Sequence, residues 1–197
     1  FNSLSIYDHN LELLNFYNKV NLVPFGEFLP FENKLKALGL RSITNNYQSF
    51  SKGNGRKIME INRGGFSIKI LPLICYEIIY SGKIFTNPNF DLIINISEDG
   101  WFGNSIGPKQ HFTHSIFRAI ESGKYLLRSA NNGISAIINP LGVVEQKVEY
   151  GKSGYVDFKE AKKIQPTLFA KYGNKIFITL ILLYIFIIFS FNRIKNE

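Results

Sequence analysis

The sequence predicts an α/β or α+β fold followed by a C-terminal transmembrane helix. Short apolar runs typical of buried strands alternate with a segment of helical periodicity, and a continuous run of Ile, Leu and Phe lies near the C-terminus. With 197 residues, the chain is long enough for one mid-sized domain with a real core, but not comfortably for two.

Four apolar runs are predicted to be strands. Residues 66–74 and 91–96 have the composition of buried strands. Residues 133–139 and 142–149 are predicted to be two strands joined by the turn Asn-Pro-Leu-Gly at positions 139–142. Strands that alternate with a helix around one sheet give the α/β or α+β class.

One helix is predicted between these two pairs of strands, at residues 111–123. Phe112, Ile116 and Ile120 recur at helical spacing, so they share one face. Gly123 is a suitable residue to end the helix, because glycine adopts the left-handed conformation at low cost.

The apolar run at residues 176–191 is uncharged. At about 1.5 Å per residue it spans roughly 24 Å, slightly less than a hydrocarbon core of about 30 Å, unless Lys171 and Lys175 reach the interface and lengthen it. Because the run has no polar face, a transmembrane helix is favoured over a buried core helix. We expect a globular part at residues 1–165, then a linker and transmembrane helix at residues 166–197.

The chain is basic, with a formal net charge of +8. Its lysines are scattered and no arginine-rich stripe is interleaved with aromatic residues, so nucleic-acid binding is not expected. Attraction to an anionic membrane surface fits the composition better. The chain begins at Phe1 without a signal-peptide pattern, so we expect a fragment of a longer protein.

The single cysteine, Cys75, directly follows the predicted strand at residues 66–74. Alone it can form neither an internal disulfide nor a cysteine-rich metal site. α/β proteins place reactive groups at the ends of strands, where a backbone N–H can donate to an oxyanion. The alternative is an inert buried cysteine, which the position alone favours.

Lys19 and Glu27 are a second pair of candidates. A lysine between apolar residues is usually a surface residue whose stem covers apolar groups. The functional alternative is an ammonium that stabilises the negative oxygen of a tetrahedral intermediate, with Glu27 as its charge partner or as a residue of the site. Either residue alone is a weak signal.

Together, the segments YNKVNLVPFGE at residues 17–27 and ICYE at residues 74–77 resemble the nitrilase, or carbon–nitrogen hydrolase, superfamily. The resemblance implies an αββα sandwich and a Glu–Lys–Cys triad. In that triad a Glu is the general base, Lys19 stabilises the oxyanion and Cys75 forms a thioester. The implied supporting residues are Tyr76, as a backbone oxyanion donor, and the carboxylates Glu27 and Glu77.

A third set of segments narrows the resemblance. NISEDGWFGNSIGPKQH at residues 95–111, RAIE at residues 118–121 and LRSANNGIS at residues 127–135 are similar to the apolipoprotein N-acyltransferase family. Soluble nitrilase relatives typically lack the first of these segments and a C-terminal span. Within it, Trp101 and Phe102 are either ordinary core aromatics or residues that contact acyl chains or the membrane interface.

This resemblance implies acyl transfer through a cysteine thioester. The implied donor is a membrane phospholipid, and the implied acceptor is the N-terminal amine of a lipid-modified apolipoprotein, as a step of lipoprotein maturation. The resemblance further implies the bacterial inner membrane, with the globular part on its periplasmic side, and no cofactor.

The family's general-base Glu lies upstream of the lysine motif, and no residue of this chain matches it. Asp8 and Glu12 precede Lys19, but Glu12 lacks the expected context and separation. Because loss of a general base costs about 10²–10⁴ in rate, we expect an upstream segment to be needed for activity. Two alternatives remain open: a hydrolase of amides or nitriles, with water as acceptor, and a non-catalytic remnant of the acyltransferase.

A metal site is not expected. His111 and His114 are spaced to share one side of the predicted helix, but no third ligand follows at a known spacing. His111 is expected instead to shape the loop that begins at Trp101.

Overall fold

The computed structural model describes residues 1–38, 49–82 and 89–195. The strands of these residues are β1 (Ser3–Tyr7), β2 (Leu13–Asn18), β3 (Met59–Arg63), β4 (Phe66–Ile74), β5 (Leu92–Glu98), β6 (Tyr125–Asn131), β7 (Ser135–Ile138) and β8 (Val144–Val148). The α-helices are α1 (Glu32–Ala37), α2 (Gly107–Ser122), α3 (Leu168–Tyr172) and α4 (Lys175–Lys195). Two short 3₁₀ helices, Cys75–Ile79 and Asp99–Phe102, directly follow β4 and β5.

Strands β3 to β8 form one six-stranded sheet in sequential order. β4, β5 and β6 are parallel neighbours, whereas β3, β7 and β8 pair antiparallel at the two sides. Parallel neighbours need a long crossover, and α2 lies in the crossover from β5 to β6. The carboxyl ends of β4 and β5 meet at one edge of the sheet, so both 3₁₀ helices begin at that edge.

Both faces of the sheet are buried, and β4 contributes alternate residues to each. Leu71 and Leu73 belong to a core cluster on the face that packs against α2. Ile70 and Ile74 belong to a second cluster, which also contains Tyr17 of β2. The antiparallel hairpin of β1 and β2 therefore covers the other face. The layers follow the order helix, sheet, hairpin.

The α/β class and all four predicted strands are confirmed. The prediction at residues 66–74 coincides with β4, and the prediction at residues 91–96 differs from β5 only at its ends. The last two predicted strands are β7 and β8, and the turn between them is closed by a 2.9 Å hydrogen bond from Gly142 N to Asn139 O. Strands β1, β2, β3 and β6 were not predicted from the sequence, because polar residues interrupt their apolar pattern.

The predicted helix is confirmed, but α2 begins at Gly107 rather than at His111. Pro108 lies in its first turn, where proline is tolerated because no backbone donor is needed there. Gly123 has a φ of 66° and ends the helix as predicted. His111, expected to shape the loop that begins at Trp101, lies inside the helix, and its side chain contacts Asp99 and Phe102 of the second 3₁₀ helix.

Among the described residues, no helix is both long enough and apolar enough to cross a membrane. The predicted C-terminal transmembrane helix is therefore not found in this part of the chain. The uncharged run at residues 176–191 spans about 24 Å, which is less than a hydrocarbon core of about 30 Å. This run lies in α4, where Phe177 and Phe186 are exposed.

Candidate active site

Cys75 lies where β4 ends and the first 3₁₀ helix begins. Its φ of 50° places it in the left-handed region, which is uncommon for residues other than glycine and marks a strained turn. The side chain is partly exposed and lines a cavity of about 580 Å³. The thiol is therefore accessible, unlike the inert buried cysteine considered from the sequence.

Glu77 connects the Cys75 turn to the segment that carries Lys19. Its side chain has no exposed surface. Its two oxygens accept hydrogen bonds from the Tyr17 hydroxyl at 2.7 Å and from the backbone N–H groups of Val20, Asn21 and Ile74 at 3.0 Å each. Burial, followed by the charge of Glu77, raises the pKa of Tyr17 well above its usual value, so the hydroxyl remains a donor. The Glu77 carboxylate thus fixes the Cys75 turn and the Lys19 segment relative to each other.

Lys19 and Glu27 form an ion pair. Lys19 Nζ lies 2.9 Å from Oε1 and 2.8 Å from Oε2 of Glu27, and the lysine side chain is fully buried. Glu27 also accepts hydrogen bonds from Asn2 Nδ2 at 2.7 Å and from Val23 N at 2.8 Å. Burial alone raises the pKa of Glu27, but the bonds from Lys19, Val23 and Asn2 outweigh it and lower the pKa. Glu27 is therefore an anion in the folded chain.

The loop before β3 packs closely against the Lys19 segment. The Gly53 N–H donates to Lys19 O at 2.9 Å. A Cβ on Gly53 would lie only 2.2 Å from Asn18 O, so only glycine allows this approach. These contacts fix the loop against the backbone of the Lys19 segment.

The cavity gathers side chains from distant parts of the sequence. Its walls are mainly apolar, with a few polar groups, as is typical of a binding site for a small molecule. The lining residues include Glu27, Phe50, Cys75, Tyr76, Trp101, Phe102 and His111. Glu12, the carboxylate considered as a base from the sequence, is exposed beside the β1–β2 turn instead.

Trp101 and Phe102 lie at the mouth of this cavity. Trp101 is 78% exposed and Phe102 is 41% exposed, so neither is an ordinary core aromatic. The Phe102 ring lies 5.4 Å from the His111 ring, and a Cβ on Gly107 would approach the Phe102 ring to 2.6 Å. The start of α2 therefore packs against Phe102, while the Trp101 side chain remains mostly exposed.

A buried polar cluster adjoins the cavity through His111, and no role was assigned to its other members from the sequence. Asp99 Oδ1 lies 2.8 Å from His111 Nδ1, and Asp99 Oδ2 accepts a hydrogen bond from Arg128 at 2.7 Å. Arg128 also donates to Asn95. Burial by itself raises the pKa of Asp99, but the bond from His111 and the Arg128 charge outweigh it and lower the pKa. The sequence contains a signal for this cluster, because its polar residues interrupt otherwise buried strands and helices.

Tyr76 and Glu98 also line the cavity. Tyr76 packs edge-on against Tyr80, with ring centroids 5.5 Å apart. Glu98 ends β5, and its carboxylate accepts a 2.7 Å hydrogen bond from Gly100 N. This bond, together with one from Asn131, lowers the pKa of Glu98. The cavity therefore contains two anionic carboxylates, Glu27 and Glu98.

The family model described as carbon-nitrogen hydrolase matches residues 1–156 of this chain. Among curated proteins, the apolipoprotein N-acyltransferase of Rickettsia bellii is 42% identical over 183 residues, covering 92% of this chain and 35% of that protein. The one of Bradyrhizobium diazoefficiens is 39% identical over 175 residues, covering 88% and 32%. The chain spans about a third of the length of the curated relatives it matches.

Solved structures share the fold. A mutant of the amidase from Nesterenkonia sp. AN1, with the acetamide moiety of fluoroacetamide added covalently at its active-site cysteine, superposes with a TM-score of 0.50 at 18% identity. The match covers 76% of this chain and 52% of that chain. A second mutant of that amidase, described as from the nitrilase superfamily, gives a TM-score of 0.50 at 16% identity, covering 75% and 51%. The predicted nitrilase-like α/β fold is confirmed.

Proposed function

The chain belongs to the carbon-nitrogen hydrolase family, and we propose that it takes part in transferring an acyl group from a membrane phospholipid to the N-terminal amine of an apolipoprotein. One observation carries the proposal. Cys75 and Glu27, the ion-pair partner of Lys19, line one mainly apolar cavity of about 580 Å³. The relatives named apolipoprotein N-acyltransferase match most of this chain and support acyl transfer as the reaction.

In the first step, Cys75 acts as the nucleophile. Its thiol loses a proton to a base, and the thiolate attacks the ester carbonyl carbon of the phospholipid. The C–S bond forms, the C–O bond of the ester breaks, and the lysophospholipid leaves as an alcohol after taking up the proton. The acyl chain then remains on Cys75 as a thioester.

In the second step, the neutral amine of the apolipoprotein attacks the thioester carbonyl carbon. The C–N bond forms, the C–S bond breaks, and the proton lost by the nitrogen restores the Cys75 thiol through the base. Water in place of the amine would give hydrolysis. An acyl chain that fills the mainly apolar cavity would exclude water and favour the amine.

Lys19 stabilises the negative oxygen that develops in both steps. Its ammonium is fully buried and held by Glu27, so its position is set before substrate binds. The backbone N–H of Tyr76 is proposed as a second donor to that oxygen, and Glu77 supports the arrangement through its bonds to both segments. The general base is proposed to be a glutamate outside this chain, as the family's triad requires.

The mouth of the cavity supports action at a lipid surface. Trp101 exposes most of its ring there, and aromatic residues favour the membrane–water interface. The net charge of +8 favours approach to anionic lipid. We propose the bacterial inner membrane as the location, with this globular part on the periplasmic side.

Mass spectrometry of Cys75 tests the proposed function. The intact protein is incubated with vesicles of a phospholipid with one defined acyl chain, and the peptide containing Cys75 is analysed. We expect its mass to rise by that acyl group, and no rise in the Cys75→Ala protein. Adding a peptide whose N-terminal cysteine carries a diacylglyceryl group should discharge the thioester and yield the N-acylated peptide.

Two results would contradict this function. An unmodified Cys75 peptide after prolonged incubation would exclude the thioester. A thioester that releases free fatty acid at the same rate with and without the acceptor peptide would indicate a hydrolase. Ser129→Ala, a change at an exposed side chain of β6, provides a control for nonspecific effects of substitution.

A further inference from the structure

We propose that His111 is a positioning residue that holds the backbone of Cys75 in its reactive geometry. The inference rests on the proposed role of Cys75 as nucleophile. It starts from one contact: His111 Nε2 lies 3.2 Å from the backbone oxygen of Cys75. A carbonyl oxygen can only accept, so the imidazole donates this hydrogen bond.

The hydrogen bond from His111 is made to a residue in a strained backbone conformation. Cys75 has a φ of 50°, a conformation that L-residues rarely adopt unless surrounding contacts hold them there. Glu77 holds the preceding residue through Ile74 N, at 3.0 Å. His111 holds the carbonyl on the other side of the Cys75 α-carbon. Contacts therefore hold the backbone on both sides of the strained residue, at Ile74 N and at the Cys75 carbonyl.

The opposite nitrogen of the imidazole is fixed as well. His111 Nδ1 lies 2.8 Å from Asp99 Oδ1, and a carboxylate accepts, so this nitrogen also donates. The two contacts therefore fix the ring at both of its nitrogens. Arg128 is the other charged group against this ring, at 3.2 Å from Nδ1, and its guanidinium is itself paired with Asp99.

Asp99 is held rigidly enough to orient the ring. It accepts from the Ser97 hydroxyl at 2.7 Å and from Arg128 at 2.7 Å. A Cβ on Gly133 would lie 2.3 Å from Asp99 Oδ2, so the backbone at Gly133 packs directly against this carboxylate. The order of contacts runs from Arg128 through Asp99 and His111 to Cys75, and all members but Cys75 are buried.

The test compares two substitutions that each keep one half of the imidazole. His111→Gln places an amide nitrogen near the position of Nε2, so it retains the donor to the Cys75 oxygen. His111→Asn places one near Nδ1, so it retains the bond to Asp99 but loses the bond to Cys75. His9→Asn is the matched control, because His9 is exposed in the turn after β1.

Two rates are measured in the intact protein: alkylation of Cys75 by iodoacetamide, and formation of the acyl thioester from phospholipid vesicles. We expect His111→Asn to lower both rates on the order of 100-fold, since a small misplacement of a reacting group has that effect. His111→Gln should stay within about tenfold of the unmodified protein. The phospholipid concentration for half-maximal rate should not change.

Rescue by glutamine distinguishes positioning from simple structural support, because both substitutions remove the same ring. Equal losses in His111→Gln and His111→Asn, or full rates in His111→Asn, would overturn the proposal. The alkylation rates need no acyl substrate, so they decide it even if no thioester forms. If His111→Asn fails to fold, Asp99→Asn replaces it. That variant should slow alkylation at least tenfold, and an unchanged rate would overturn the proposal.

Discussion

Lys19 and Glu27 form an ion pair in which the ammonium lies 2.9 Å and 2.8 Å from the two carboxylate oxygens. The lysine side chain is fully buried, whereas Glu27 keeps 12% of its side-chain surface exposed and lines the cavity that Cys75 also lines. A buried ammonium remains charged only with such a partner. The pair therefore places a positive charge beside the cavity.

Glu27→Gln should destabilise the protein by roughly 3 kcal/mol, because it leaves the buried Lys19 ammonium without its counter-charge. Acyl transfer should fall on the order of 100-fold, because the ammonium is no longer oriented. Urea denaturation and thioester formation measure the two effects. Glu149→Gln is the control, since it breaks the exposed pair with Lys147 and should change stability by less than about 1 kcal/mol. Equal stabilities of the two variants would contradict the prediction.

The same pair predicts a pH dependence of stability. The folded-state pKa of Glu27 lies below its usual value of 4.5. Its contribution to stability is therefore fully present above that value and is lost as the pH falls through the lowered folded-state pKa. As the pH falls from about 7 to about 3, a range that includes this window, the denaturation midpoint should decrease less steeply in Glu27→Gln than in the unmodified protein. Parallel curves would show that Glu27 has no linked proton in this range.

Glu77→Gln should destabilise the protein by about 3 kcal/mol and slow alkylation of Cys75. Glutamine has an NH2 group in place of one carboxylate oxygen. That group cannot accept a hydrogen bond, so at least one of the buried hydrogen bonds to residue 77 is lost. Tyr17→Phe removes a single donor and should cost only about 1 kcal/mol. Thermal denaturation compares the two variants. A smaller loss in Glu77→Gln than in Tyr17→Phe would contradict the bridging role of this carboxylate.

Gly133→Ala should destabilise the protein by about 2 kcal/mol, because its Cβ would lie 2.3 Å from Asp99 Oδ2 and would displace that carboxylate. Cys75 alkylation should slow in parallel if Asp99 orients His111. Gly55→Ala is the control, since no atom lies within 4 Å of the Cβ position there. Urea denaturation and alkylation rates measure both effects. An unaffected Gly133→Ala protein would argue against a rigid Asp99.

Trp101→Ala should leave stability within about 0.5 kcal/mol, because the ring is 78% exposed. The phospholipid concentration for half-maximal thioester formation should rise roughly tenfold, since a large aromatic contact with lipid is lost. Tyr155→Ala, a change at a side chain that is 85% exposed, should alter neither quantity. Vesicle titration measures the first effect. An unchanged titration would remove Trp101 from the lipid-contact surface.

The local sequence pattern was sufficient to predict strands β4, β5, β7 and β8, but not β1, β2, β3 and β6. The buried runs that became β4 and β5 carry continuous apolar residues, and such runs are readable without a partner. β1 and β2 alternate weakly, and their burial depends on the sheet they cover. The C-terminal run was predicted to span a membrane, and no described helix is long and apolar enough to do so.

Amino-acid order alone was sufficient to assign the carbon-nitrogen hydrolase family and to single out Cys75, Lys19 and Glu27, because each lies in a short segment that resembles that family. Their catalytic roles stay predictions. Chain order says nothing about the contact of His111 with Asp99 and Cys75, which come from three different elements. That contact depends on the parallel pairing that brings the ends of β4 and β5 to one edge, and on α2 packing across it. Long-range packing therefore decides which polar groups surround the thiol.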